Sequence, residues 1–237
     1  PSMLDNVVRN LRRGNQNGKL FEVANVYIPR ELPLKEQPAE KKTLCLGAWG
    51  DCDFFDVKGA IEAVGDAFGV KFAFRRAQKP FLHPGVTAEV LLGEKIVGYL
   101  GELDLRLAAE LAVERKVYLA EFDYATASRK FTDATKYQGL PRFPAVRRDL
   151  ALLADENVPC GDIVATVVHA CRAVKDVQLF DVYRGGQVPA GKKSMAFTLT
   201  FEPEASAEKA LSPEAVDGFV RKILGNLKHN LGVEIRM

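Results

Sequence analysis

The sequence predicts an α+β protein built in two parts, and three observations carry that prediction. The first is K192-K-S-M-A-F-T-L-T-F-E202, which alternates with a period of two. Met195, Phe197, Leu199 and Phe201 share one face, and Ser194, Ala196, Thr198 and Thr200 share the other, as in a half-buried strand. The second is the set of segments around it. R142-F-P-A-V-R-R-D-L-A-L-L153 and V177-Q-L-F-D-V-Y-R-G-G186 read as strands, Cys160 to Arg172 and Pro213 to Leu231 as helices, and Val233 to Met237 as a short last strand. The order is βαββαβ, the split arrangement of ferredoxin-like domains, with two helices on one face of the sheet and the other face open. The third is the upstream half, where short alternating strands outnumber helices, as in an antiparallel sheet with helices packed on it.

The upstream elements follow in order. Ser2 can cap a helix running to about Asn10, with Leu4, Val7, Val8 and Leu11 on one side. R12-R-G-N-Q-N-G18 breaks it, and Lys19 to Ile28 reads as a strand. A polar, proline-containing loop over Pro29 to Lys42 leads to a strand from Leu44 to Trp49. Asp56 can cap a helix from Val57 to Phe68, with Val57, Ile61, Val64 and Phe68 as its apolar stripe and Gly69 as its stop. Val70 to Arg75 is a strand, Pro80 to Gly85 a turn-rich link, and Val86 to Leu92 with Lys95 to Leu103 a hairpin around Gly93 and Glu94. Asp104 to Ala112 is a short helix and Val117 to Tyr124 a last strand. Thr126 to Pro141 has few large apolar residues and reads as a linker. The predicted domains are 1–126, a linker at 127–141, and 142–237.

Composition narrows the function classes. The chain has 237 residues, 47% of them hydrophobic and 27% charged, which suits a globular protein with a sizeable core. No apolar run approaches the roughly 20 residues of a membrane helix. The net charge is +2, and 13 basic and 12 acidic residues lie from Arg142 onward, so nothing here grips nucleic acid by bulk charge. None of the four cysteines (Cys45, Cys52, Cys160, Cys171) forms a C-x-x-C pair, and thiols in a reducing cytoplasm are expected.

F143-P-A-V-R-R-D149, L179-F-D-V-Y-R-G185 and G191-K-K-S194 resemble the ferredoxin-fold anticodon-binding domain that ends the bacterial phenylalanine–tRNA ligase β subunit. R12-R-G-N15, L20-F-E-V23, D53-F-F-D-V-K-G59 and H83-P-G85 resemble the module just before it, a relative of the class II synthetase catalytic fold that has lost the chemistry. The resemblance runs along essentially the whole chain. It departs at G101-E-L-D104-L, where the family has Gly-x-x-His-Pro. It implies a C-terminal fragment of a longer cytoplasmic subunit in an α2β2 assembly that attaches phenylalanine to tRNA(Phe), with ATP and magnesium used by the catalytic α subunit. The implied partners are tRNA(Phe) and the α subunit, with no DNA or membrane. No cofactor is expected in this fragment.

The residues of the upstream half offer little chemistry. Asp51, Asp53 and Asp56 lack the further carboxylates or histidine a two-metal site needs, and read as a helix cap and turn residues. His83 before Pro-Gly reads as a turn histidine. Arg75 and Arg76 are adjacent on a strand and point to opposite faces. No phosphate loop and no nucleophile–base–orienter set appears. This fragment is therefore expected to be non-catalytic.

The C-terminal open face suits splayed single-stranded bases, which proteins read by stacking and edge hydrogen bonds. With Phe180 and Val182 in the core, Tyr183 is left to stack. The resemblance makes Tyr183 and Ser194 the pair expected to hold an anticodon base. Arg147, Arg184, Lys192 and Lys193 are candidate phosphate contacts, and Asp149 or Asp181 a candidate acceptor for a base amino group. In the structural alternative, Arg147 and Arg148 pair with Asp149 or Asp181 and hold the strands in register. A different reading, a ferredoxin-like regulatory module for a small ligand, wants a glycine-rich strand-to-helix turn; N157-V-P-C-G161 has one glycine.

Overall fold

The computed structural model describes residues 1–129, 142–203 and 209–236. The chain divides into two compact units, 1–135 and 136–237.

In the first unit, α1 (Ser2–Arg12) precedes β1 (Gly18–Ile28) and β2 (Ala39–Trp49), followed by α2 (Phe54–Ala67), β3 (Phe72–Arg76), β4 (Leu82–Leu92) and β5 (Lys95–Leu103). Then come α3 (Leu105–Glu110), β6 (Val117–Asp123) and α4 (Tyr124–Ser128). Six antiparallel strands form one sheet in the order β1-β2-β6-β5-β4-β3. Alternation along β6 divides the core between its two faces. Val117 and Leu119 pack with Val7 and Val8 of α1, whereas Tyr118, Ala120 and Phe122 pack with Val57 and Ile61 of α2.

Several boundaries differ from expectation for local reasons. β2 begins at Ala39 rather than Leu44, because the β1 ladder continues to the Ile28–Ala39 pair. α2 begins at Phe54, and its N-cap is Asp53, not Asp56. Asp53 Oδ1 accepts the Phe55 and Asp56 amides at 2.7 and 3.0 Å, and Asp56 Oδ2 accepts the Asp53 amide at 2.8 Å. This reciprocal box satisfies three amides, where a cap at Asp56 would leave the first turn unbonded. β4 starts inside the expected link, at Leu82. Thr126 to Ser128 belong to a helical turn capped by Asp123, and the rest of the expected linker, from residue 130 to 141, lies outside the described residues.

The second unit runs β7 (Val146–Asp155), α5 (Cys160–Ala170), β8 (Val174–Tyr183), β9 (Lys192–Phe201), α6 (Pro213–Leu231) and β10 (Glu234–Ile235). Its sheet order, β10-β7-β9-β8 with every pair antiparallel, is that of a ferredoxin-like βαββαβ sandwich. Leu150, Leu152, Met195, Phe197, Leu199 and Phe201 pack against Ile163 and Val167 of α5 and Val216, Ile223 and Leu227 of α6. Ser212 caps α6 by accepting the Ala215 amide at 3.2 Å, and Gly232, in the left-handed region at φ 63°, ends it. Both helices cover the face bearing those side chains, and no described helix covers the opposite face of the sheet.

Candidate nucleic-acid interface

The register of the C-terminal sheet sets the composition of its open face. Tyr183 stands opposite Ser194, Asp181 opposite Ala196, and Thr200 between Asp176 and Arg147. Tyr183 and Ser194 are thus cross-strand neighbours at the β8 end of the sheet. Between them and the solvent lies a residue that the sequence reasoning did not single out, Arg236. Its amide donates to the Ala151 carbonyl at 2.7 Å, extending the β10 edge by one residue. Its guanidinium donates to Ser194 Oγ at 3.3 Å and to Gln187 Oε1 at 3.0 Å, with Cζ 5.2 Å from the centre of the Tyr183 ring. Ser194 is consequently buried at 4% exposure, while Tyr183 keeps 38%. The signal for Arg236 was available in V233-E-I-R236, whose alternation sends Glu234 and Arg236 to the side opposite Val233 and Ile235.

Phe180 and Val182 are not core residues. They are 57% and 38% exposed, because β8 is the edge strand and its ladder slips by one residue between Leu179 and Asp181. Phe180 is the extra residue of that bulge.

The expected rim of free cations is largely paired. Arg184 binds Glu156 through both carboxylate oxygens, at 2.5 and 3.2 Å. The Arg184 hydrogen bond holds the Glu156 carboxyl below its usual range, and Arg184 is raised in turn. Lys192 lies 2.8 Å from Asp155. Lys193 is buried, on the helix-covered face opposite Ala154, and donates to the Glu156 carbonyl at 3.0 Å. Arg148 reaches Asp217 of α6 at 3.8 Å instead of a neighbouring strand. Asp149 accepts the Thr198 hydroxyl at 2.7 Å. Among the described residues, the side chains of Arg147 and Asp181 have no hydrogen bond or ion pair and stand exposed on the open face. The structure therefore gathers Tyr183, Ser194 and Asp181 at one end of that face, joined by Arg236. Arg147 and Asp149 sit toward its other end, and Arg184, Lys192 and Lys193 are committed to internal partners.

In the first unit, Asp53 and Asp56 are consumed by the α2 cap, and Asp51 accepts from Asn17 Nδ2 at 3.0 Å. His83 Nδ1 accepts the Gly85 amide at 3.1 Å, as a turn histidine does. Arg75 binds Glu89 at 2.9 Å. Asp104, at the position of the altered motif, caps α3 by accepting the Arg106 amide and pairs with Arg106 Nε, both at 3.0 Å. Among the described residues no three His, Cys, Asp or Glu side chains form a group that could hold a metal, and no helix is long and apolar enough to cross a membrane.

Comparison with known proteins accounts for both units. Residues 1–124 match the family model of the phenylalanyl tRNA synthetase beta chain CLM domain. The chain belongs to the phenylalanyl tRNA synthetase beta chain family. Residues 141–236 match the ferredoxin-fold anticodon binding domain. Phenylalanine–tRNA ligase beta subunits of Clostridium acetobutylicum and Geobacillus kaustophilus are 35% and 33% identical to it over 99% and 100% of this chain. The chain spans 30% of the length of each. A solved pyrrolysyl tRNA synthetase of Desulfitobacterium hafniense aligns with 53% of this chain and 47% of its own at 16% identity, with a TM-score of 0.43.

Proposed function

We propose that the second unit binds the anticodon region of tRNA(Phe) on its open sheet face. The first unit packs against the catalytic α subunit of a phenylalanine–tRNA ligase that joins phenylalanine to tRNA(Phe) with ATP. The observation that carries the reading is the Tyr183–Ser194–Arg236 cluster beside an Asp181 that has no partner among the described residues: one aromatic face, one guanidinium and one carboxylate within a single corner of an otherwise small and polar sheet surface. A base stacked on Tyr183 has a donor and an acceptor within reach of its edge. Ser194 lies under Arg236 and holds it by accepting from the guanidinium, whose remaining N–H groups are the donor beside Tyr183.

The packing role is supported by β1. It is an edge strand of the six-stranded sheet, yet Phe21 is 75% and Tyr27 62% exposed along it. An unpaired edge with large apolar side chains suits a protein neighbour. The Asp53–Asp56 box and the Asp104–Arg106 pair are structural, so no step of the parent reaction and no magnesium or ATP contact is assigned to residues of this chain.

Arg147 and Arg236 stand on the open face without a carboxylate partner among the described residues. Two phosphate contacts to a single-stranded loop give a salt slope of about −1.4. The test is binding of an anticodon stem-loop RNA of tRNA(Phe) and of the same RNA with a swapped anticodon, across a salt series. The reading expects discrimination between the two RNAs and a slope near that value. A steep slope with equal affinity for both RNAs would refute it.

A further inference from the structure

The turn after β8 carries two adjacent glycines with opposite surroundings. Neither has the positive φ that would itself demand glycine. A Cβ on Gly186 would meet nothing within 4 Å. A Cβ on Gly185 would lie 2.2 Å from the Tyr183 hydroxyl oxygen, 2.4 Å from Cζ and 3.1 Å from Cε1. The phenol end of Tyr183 thus rests in the space that the missing side chain of Gly185 leaves, while the Arg236 guanidinium flanks the ring. The turn that supplies this seat is itself held. Val188 donates to the Gly185 carbonyl at 2.8 Å, Gln187 accepts from Arg236 at 3.0 Å, and Arg184 is fixed by both oxygens of Glu156.

From this geometry we infer that Gly185 is a positioning residue for RNA recognition: it seats the Tyr183 ring in the one pose that presents its exposed surface beside Ser194 and Asp181. The inference rests on the anticodon-binding reading of the open face. Any side chain at position 185 collides with the far end of a tyrosine side chain and not with backbone, so the ring can swing aside at little cost to the fold. The swing takes the stacking surface away from the groups that read the base edge. Glycine is required here for close approach rather than for backbone conformation.

The test compares the 237-residue chain with its Gly185→Ala, Gly186→Ala, Tyr183→Ala and Gly185→Ala/Tyr183→Ala variants. Two readouts are used: the Tyr183 ring resonances in tyrosine-labelled protein without RNA, and affinity for the cognate and anticodon-swapped stem-loops. Gly185→Ala is expected to move the ring resonances and leave the melting temperature within a few degrees. It should weaken cognate binding roughly tenfold, the scale of one stacked base, with little effect on the swapped RNA. Gly186→Ala should change neither readout, and the double variant should bind no more weakly than Tyr183→Ala, since both act through one ring. Unmoved ring resonances in Gly185→Ala would overturn the seat itself. Moved resonances with unchanged cognate affinity would overturn its role in recognition. A wild-type chain that does not distinguish the two RNAs would instead overturn the reading of the face, and the ring resonances would still decide whether Gly185 seats Tyr183.

Discussion

Replacing Arg236 by methionine keeps an unbranched stem and removes the guanidinium. It deletes a donor to Ser194 Oγ at 3.3 Å, a donor to Gln187 at 3.0 Å and a cation 5.2 Å from the Tyr183 ring centre. The Gln187 contact is exposed and contributes little. The Ser194 bond leaves a buried hydroxyl without its partner, worth about 0.5–1.5 kcal/mol. The cation–π contact at a half-exposed ring adds about 0.5–1 kcal/mol. Their sum, about 1–2.5 kcal/mol, should lower the melting temperature of a unit of roughly 100 residues by about 4–8 °C per kcal/mol. Urea unfolding offers a clean assay, because the single tryptophan, Trp49, is buried in the first unit and reports on that unit alone. Arg236→Met should leave the Trp49 transition unmoved and shift the second circular-dichroism transition to lower urea. In a double-mutant cycle with Ser194→Ala, coupling of about 0.5–1 kcal/mol is expected. A second transition unchanged within about 0.3 kcal/mol, or zero coupling, would refute the assigned geometry.

Other outcomes follow from the same structure. Asp53→Ala removes the N-cap of α2 and should cost about 1 kcal/mol, read as a shift of the Trp49 transition, whereas a cap at Asp56 would make it neutral. Phe197→Ala empties the centre of the ferredoxin-like core, where the side chain is 1% exposed, and should cost about 3–5 kcal/mol in the second transition. Asp123 gives a pH dependence. Burial raises its carboxyl, but bonds from the Thr126 amide and hydroxyl and the nearby Lys41 outweigh that and hold it below the usual range. A depressed carboxyl stabilises above its unfolded value, near pH 3.9, and the contribution is lost as pH falls through the folded value. Asp123→Asn should therefore flatten the acid limb of the first unit's stability below about pH 4 and not above it.

Much of the architecture was legible because half-buried strands alternate. The two faces of β9 and the inward set of β7 follow from period two, and the length of α6 from Ser212, Pro213 and Gly232. What period two does not contain is the order of strands in the sheet. Phe180 and Val182 look like core in sequence, but only sheet order makes β8 an edge and only pairing reveals its bulge. Asp56 reads as the cap of α2 in sequence, but the N-cap is Asp53, because the Asp56 side chain turns back to the Asp53 amide in a reciprocal box. On the open face, the placement of Tyr183, Ser194 and Asp181 was readable from alternation and resemblance. The commitments of the cations were not, since Arg184 finds Glu156 28 positions away and Arg236 finds Ser194 42 positions away.

The most direct measurement of the central claim is the affinity of the wild-type chain and Tyr183→Ala for tRNA(Phe) and for tRNA(Phe) carrying a swapped anticodon, at one fixed salt concentration. The account predicts that the wild type prefers the cognate tRNA. Tyr183→Ala should lose about 1–3 kcal/mol of cognate binding and with it most of the preference. Equal binding of both tRNAs by the wild type, or a cognate preference untouched by Tyr183→Ala, would contradict it.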